Sequence, residues 1–285
     1  KQNNFNLNIP ILPKGLDLSD ADIKTHIKKI NSASIIVENV EFNARIRDGY
    51  MNTSPFSASI NRINYDGAIL LDMRSADPGI NLWLNANQVN IGAMLKELNI
   101  TQDLEARFNN INLYLESHAS LLSDLIAQAK LIGVLNQGEI KLKDPSTQSS
   151  ALIKIEQGTV TASPQENLSL KLSGAVNQAP ISIKLDTAST KDLLDTHKSI
   201  PVNLVTKISN TSLNLSGNLS RDIDEPNIHL QLQASGKSLN DLNQLLNTDV
   251  PPWGPWSLSG GFHMNKDGYL IKNLSLEVGD SKLEG

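Results

Sequence analysis

Aliphatic residues recur at every second position along most of this chain. Ile80-Leu82-Leu84-Ala86, Ile111-Leu113-Leu115, Ala151-Ile153-Ile155, Leu168-Leu170-Leu172 and Ile181-Ile183-Leu185 show the pattern. Leu213-Leu215, Ile228-Leu230-Leu232-Ala234 and Leu274-Leu276-Val278 continue it. Successive side chains of a strand point to opposite faces, so a period of two gives one oily face and one wet face. The pattern predicts an all-β chain with a few short helices, built as a long antiparallel meander.

Turns are expected where the apolar parity changes or where turn-forming pairs stand. These places are Asn109-Asn110, Gln157-Gly158, Asp66-Gly67 and Asp267-Gly268. Short helices are expected over 91–98, 121–129 and 239–246, capped by Asn90, Ser120 and Ser238. The segment 76–86 matches 224–234, with the same spacing from Pro78 and Pro226 to the capped helix. The chain is therefore expected to form a single region, 1–285, with strand–helix repeats near 76–98 and 224–246. Residues 9–15 are expected to be an edge or crossing segment, and 21–30 to start the sheet.

Composition narrows the function classes. The net charge is -5 with a pI near 5.6, and no basic stripe of the kind nucleic acid requires is present. There is no cysteine, which is compatible with the periplasm for a chain of 285 residues. Apolar runs such as 67–71 fall far short of the roughly 20 residues that span a bilayer. A signal or membrane anchor is thus expected to lie outside this piece of a longer protein.

Catalytic chemistry is sparse. His26, His118, His197, His229 and His263 stand far apart, without partners at metal-ligand spacing. Asp222, Asp224 and Glu225 precede His229, but Pro226 and Asn227 occupy the fifth and sixth places of a calcium loop counted from Asp222. Asp20, Asp22 and His26 form a similar chance triplet. No nucleophile elbow, phosphate-cradling loop or dinucleotide fingerprint occurs. The chain is expected to be no enzyme, with no cofactor and no metal. A β-rich hydrolase using scattered carboxylates is the catalytic alternative. The turn Trp253-Gly254-Pro255-Trp256 is expected to pack over a sheet end.

So many half-apolar strands present more oily surface than a soluble monomer exposes, and three short helices cannot cover it. The sheet can pack on itself as a dry sandwich, close into a barrel, or bend into an open trough filled by lipid tails. An inward set dominated by Leu and Ile, with few aromatics, favours the trough. Burying a ~16-carbon acyl chain is worth roughly 13 kcal/mol, about what leaving a bilayer forfeits. Transfer into such a groove is then near neutral.

Several segments resemble the C-terminal region of the AsmA-like family of bacterial envelope proteins. They are 9–23 (Ile-Pro-Ile-Leu-Pro-Lys-Gly onward), 54–57 with 65–72, 120–125, 138–142, 250–259 (Val-Pro-Pro-Trp-Gly-Pro-Trp) and 276–285. The resemblance implies a long, strongly curved antiparallel meander sheet forming a hydrophobic, taco-like groove. It further implies a periplasmic body with an inner-membrane anchor upstream. It also implies a Gram-negative host and a role in outer-membrane lipid balance, as for TamB-like and chorein-type bridge proteins that move phospholipid. The expected partner is a phospholipid or other acyl-chain lipid. The residues expected to line the groove are Leu82, Leu84, Leu113, Leu115, Leu170, Ile183, Leu215, Leu230 and Leu276. The alternative is a dry β-sandwich acting as scaffold or adaptor in outer-membrane protein assembly.

Overall fold

In the computed structural model of the protein, the described residues are 10–11, 20–31, 36–60, 63–93, 104–143, 150–194, 198–220, 227–243, 249–266 and 268–285. The first strands are β1 (Ala21–Asn31), β2 (Ile36–Arg47), β3 (Tyr50–Ile60), β4 (Ile63–Asp72), β5 (Gly79–Asn90) and β6 (Leu104–His118). They continue with β7 (Lys130–Lys143), β8 (Ser150–Ala162), β9 (Asn167–Val176), β10 (Ala179–Ser189) and β11 (Ile200–Ile208). The last are β12 (Thr211–Leu219), β13 (Ile228–Gly236), β14 (Trp256–Asn265), β15 (Gly268–Val278) and β16 (Ser281–Glu284). They form one antiparallel sheet of 16 strands, ordered β1 to β16 without crossover and not closed on itself. The meander follows from short connections, which can join only antiparallel neighbours. Helices α1 (Leu122–Gln128) and α2 (Thr190–Leu194) and the 3-10 turn Leu239–Leu242 each come after a strand. Among the described residues, no helix is long and apolar enough to cross a membrane. The chain divides into two compact units, 1–150 with 160–164, and 151–159 with 165–285.

Three of the expected turns are interior to strands. Asn109-Asn110 lies within β6, Gln157-Gly158 within β8 and Asp66-Gly67 within β4. At the first two the parity change is real, but a kink in a continuous strand accomplishes it; β4 keeps one parity, with Tyr65, Gly67, Ile69 and Leu71 in unbroken register opposite Ala86, Leu84, Leu82 and Ile80. Asn87, Asn110 and Asn136 pair across β5, β6 and β7, as do Val89, Phe108 and Gly138. Between those rows, Gln88 and Gln137 carry positive φ, 54° and 45°. Three adjoining strands thus exchange faces at one level, and the ladder goes on. The actual reversals use positive-φ pairs, Asp48-Gly49 (50° and 75°) and Asn177-Gln178 (47° and 70°). Such values match the right-handed twist of the flanking strands. Of the expected turn at Asp267-Gly268, Asp267 lies outside the described residues, and Gly268 pairs with Asn265 at the start of β15.

The helix signals divide. Asn90 caps a helical start at 91–93, its Oδ1 accepting the Ala93 N–H at 2.9 Å; the expected 94–98 lies outside the described residues. Ser238 has extended φ and ψ but makes no side-chain cap bond, and a 3-10 turn follows in place of the expected α-helix. Without that bond, one of the free N–H groups at the helix start stays unpaired by the cap. The core of the first unit centres on Ile46, Leu71, Met73 and Ile80, with Ile11, Met51, Ile69 and Leu125 packed against it. Ser117 Oγ donates to the Leu125 carbonyl at 3.0 Å, tying α1 to β6. The crossing segment is described at 10–11, where Pro10 bridges to Leu121 and the Ile11 N–H donates to the Ser120 carbonyl at 3.1 Å.

Candidate functional site

Cross-strand register places the expected lining residues on one face within each unit. In the first unit, Leu82 sits opposite Ile69 and Leu115, and Leu115 opposite Leu131. The next row runs Gly67, Leu84, Leu113, Gly133. No charged side chain stands in either row. In the second unit, Leu170, Leu185, Leu204, Leu215, Leu232 and Gly260 form a row across β9 to β14. A parallel row holds Leu172, Ile183, Thr206, Leu213, Ala234, Leu258, Leu276 and Leu283. Leu230 belongs to a third, between Gly217 and Phe262. Rows run at right angles to the strands, and the four spacings of roughly 4.8 Å between Leu170 and Leu232 make a leucine track about 19 Å long.

Burial along a strand separates a lined groove from a dry sandwich. In a sandwich, the middle of each inward-facing run is buried deepest, because the opposing sheet covers it. On β5, β6 and β10 the ends are deeper, while on β13 the whole run is half-buried and on β9 mid-strand Leu172 is buried. On β5, Ile80 and Ala86 are buried (6% and 2% exposed), whereas Leu82 and Leu84 between them are half-buried. On β6, Ile111 and Ser117 are buried and Leu113 and Leu115 half-buried. On β10, Ala179, Ile181 and Ala188 are buried while Ile183 and Leu185 are half-buried. Every expected lining residue is half-buried. Such positions touch protein at their flanks and leave an oily tip uncovered.

The opposite face is polar. Asp22 is held below the usual carboxylate range by hydrogen bonds from Arg47 and Arg45, and Asp186 by its bond from Lys184. His263 is lowered by burial, and then by the neighbouring His229 and Lys272. On the aliphatic side, Tyr65 stands across from Ala86, and burial pushes its hydroxyl up. Among the described residues no group of three or more His, Cys, Asp or Glu could hold a metal ion. The acidic segment 222–225 lies outside the described residues.

The tryptophan turn splits. Trp256 is buried, with its indole Nε1 2.6 Å from where a Cβ on Gly236 would stand. Trp253 is 63% exposed, held by its backbone: its carbonyl accepts the Leu239 N–H at 2.8 Å and its N–H donates to the Pro251 carbonyl at 2.8 Å. Only half of the turn therefore packs on the end of β13. Leu185, Leu204 and Leu232 share the longest leucine row with Leu170 and Leu215, yet were not among the expected lining residues. The alternation Val202-Leu204-Thr206 carried the signal for Leu204, weakened because Thr206 breaks the aliphatic run. No family model, curated protein or solved structure matches this chain.

Proposed function

We propose that this chain is a non-enzymatic, periplasmic lipid-binding segment of a longer protein anchored in the bacterial inner membrane, serving phospholipid transfer and outer-membrane lipid balance. Acyl tails lie along the aliphatic rows, and headgroups stay outside the oily face. The observation that carries this reading is the inverted burial profile of β5, β6 and β10: their mid-strand aliphatics are half-covered while the ends of the same runs are buried. A second sheet packed over this face, as the scaffold reading requires, leaves those leucines the most deeply covered. An uncharged leucine row about 19 Å long suits an extended tail. Because each methylene contributes about 0.8 kcal/mol both in a bilayer and against leucine, loading and release are nearly balanced. The resemblance to AsmA-like proteins supports the same conclusion independently.

The test is native mass spectrometry with lipid extraction on the protein purified from a Gram-negative host. Phospholipid should co-purify with the unaltered chain. The double variant Leu84→Asp, Leu230→Asp puts a carboxylate into a row of each unit, and it should fold but lose its lipid. Unchanged lipid in the folded variant, or consistently lipid-free native protein, overturns the assignment.

A further inference from the structure

The reverse face of β5 to β7 is unlike the rest of the polar side. Trp83 alternates with Leu82 and Leu84 and so points away from the aliphatic rows. It is 43% exposed although it is the largest side chain on its strand. Its ring lies against Tyr114 across the ladder, centroids 5.4 Å apart at 41°. On the other side its partner is Ala68, too small to cover it. Tyr114 is fixed in turn, its hydroxyl donating to Asn81 Oδ1 at 2.9 Å.

Beside this aromatic pair is a closed cycle of amides. Asn85 donates to Asn112 at 2.7 Å, and Asn112 to Asn110 at 2.6 Å. Asn110 donates to Asn87 at 3.1 Å, and Asn87 returns the bond to Asn85 at 3.3 Å. Asn136 adds a further bond to Asn110 Oδ1 at 3.3 Å. A cycle of this kind fixes which way every amide points. An Asn amide has two N–H donors and two acceptor lone pairs, so each member keeps one N–H for a ligand, and all but Asn110 also keep a lone pair. The result is an oriented donor–acceptor lattice beside an open indole, on a rigid sheet. A sheet needs neither feature for its own stability, since a mixed-charge surface suffices.

We propose that this surface binds a neutral oligosaccharide, one pyranose face stacking on Trp83 and neighbouring hydroxyls bonding to the cycle of Asn85, Asn87, Asn110 and Asn112. Hydroxyls donate and accept at once, which matches amides offering both. A pyranose ring presents a face of C–H groups to the electron-rich face of an indole, leaving its equatorial hydroxyls pointing sideways toward the amides. The charges at the margin decide the class of sugar. Asp66 pairs with Asn85, while Glu116 beside Tyr114 stands opposite Lys130, so the border carries both signs with one acid in excess and offers no basic cluster for uronate or sulfated chains. The site is on the other face from the lipid rows and does not depend on them.

Cellohexaose and N-acetylchitohexaose are the probes, titrated into the whole protein while tryptophan emission and the Asn side-chain amide NMR signals are followed. At least one should perturb both signals saturably; which one does so distinguishes a hydroxyl-only chain from an acetamido-bearing one. Trp83→Ala removes a stacking contact and should weaken binding about tenfold. Asn112→Ala, which opens the cycle, should weaken it about fivefold. Trp253→Ala removes the other exposed indole and should leave binding unchanged. Folding of each variant is checked by far-ultraviolet circular dichroism. No response to either sugar at millimolar concentration overturns the proposal. So does equal binding by Trp83→Ala, or a preference for hexagalacturonate over both neutral chains.

Discussion

Strands β5 and β13 are the two copies of one sequence pattern, and they end up in different surroundings. Their inward residues are the same series, Ile80-Leu82-Leu84-Ala86 and Ile228-Leu230-Leu232-Ala234. In the first copy Ile80 and Ala86 are buried; in the second, Ile228 and Ala234 are only half-buried. The neighbours account for the difference. Ile80 faces Leu71 and packs in the cluster that Met73, Ile11 and Leu125 complete. Ile228 faces Leu219 and Met264 near the reversal into β15, at the edge of the described residues and away from that cluster. Alternation sets which face a residue points to, whereas depth depends on what distant segments bring over it.

One substitution made in both copies should separate those two controls. Ile80→Ala leaves a cavity in a packed cluster and should cost about 3 kcal/mol, while Ile228→Ala mainly exposes surface already half wet and should cost about 1 kcal/mol. Amide hydrogen exchange of β4 to β6 in one variant and β12 to β14 in the other reads the two effects locally. Equal losses would mean that the extra cover over Ile80 contributes nothing to stability.

A smaller effect should be shared by both copies. On the strand before each copy, a glycine lets a carbonyl come close. A Cβ on Gly67 would stand 1.9 Å from the Trp83 oxygen, and one on Gly217 1.9 Å from the His229 oxygen. Backbone must shift to admit even a methyl group, so Gly67→Ala should cost about 2 kcal/mol, and Gly217→Ala somewhat more because Gly217 also holds φ at 152°. Thermal unfolding followed by circular dichroism checks this, and a neutral outcome in one copy alone would show that its strands can slide apart there.

The legible part of this molecule is the part governed by local geometry. Strand faces, the meander order, the Asn90 cap and the shared face of Leu82, Leu84, Leu113 and Leu115 all follow from period two and short connections. At Asp66-Gly67 a turn-forming pair simply sits inside a strand of constant parity, whereas the failures at Asn109-Asn110 and Gln157-Gly158 have one cause. A change of parity is the same in sequence whether the chain reverses or only kinks, and only the neighbouring strand's register distinguishes them. Gln88 and Gln137 adopt positive φ because the strands beside them kink at the same level, which no single-strand pattern records. The leucine rows were half legible for a related reason: each strand supplies its own alternation, but a row exists only once registers align Leu204 with Leu185 and Leu215. Trp83 was hidden by its own rule, an aromatic at a polar-face position where alternation predicts only solvent.

The smallest expected effect concerns how the two copies are entered. Asp72 ends β4 opposite Gly79, the first residue of β5, and Ser220 follows β12 at the matching place before β13, taking the Asn227 carbonyl. Arg74 bonds both oxygens of Asp72 at 2.8 Å and lies over the Tyr50 ring at 4.1 Å, so the first copy has an ionic brace where the second has a backbone bond. Those side-chain hydrogen bonds from Arg74 lower Asp72 from 3.8 to about 2. A carboxylate depressed in the folded state stabilises it above the unfolded value, and that contribution disappears as pH falls toward the folded value. The brace should therefore be complete above pH 4 and lost progressively down to about 2. The pair is solvent-exposed, so the effect on stability is slight and shrinks further in high salt. The Asp72 carboxyl carbon shift, followed by NMR, should titrate well below an ordinary aspartate and return toward 3.8 in Arg74→Gln. Asp72→Asn should abolish the acid-induced shift of the Tyr50 ring signals and leave the β12–β13 amides untouched. A normal midpoint in the unaltered protein would mean that Arg74 spends its time in solvent, and that the first copy is entered without an ionic brace.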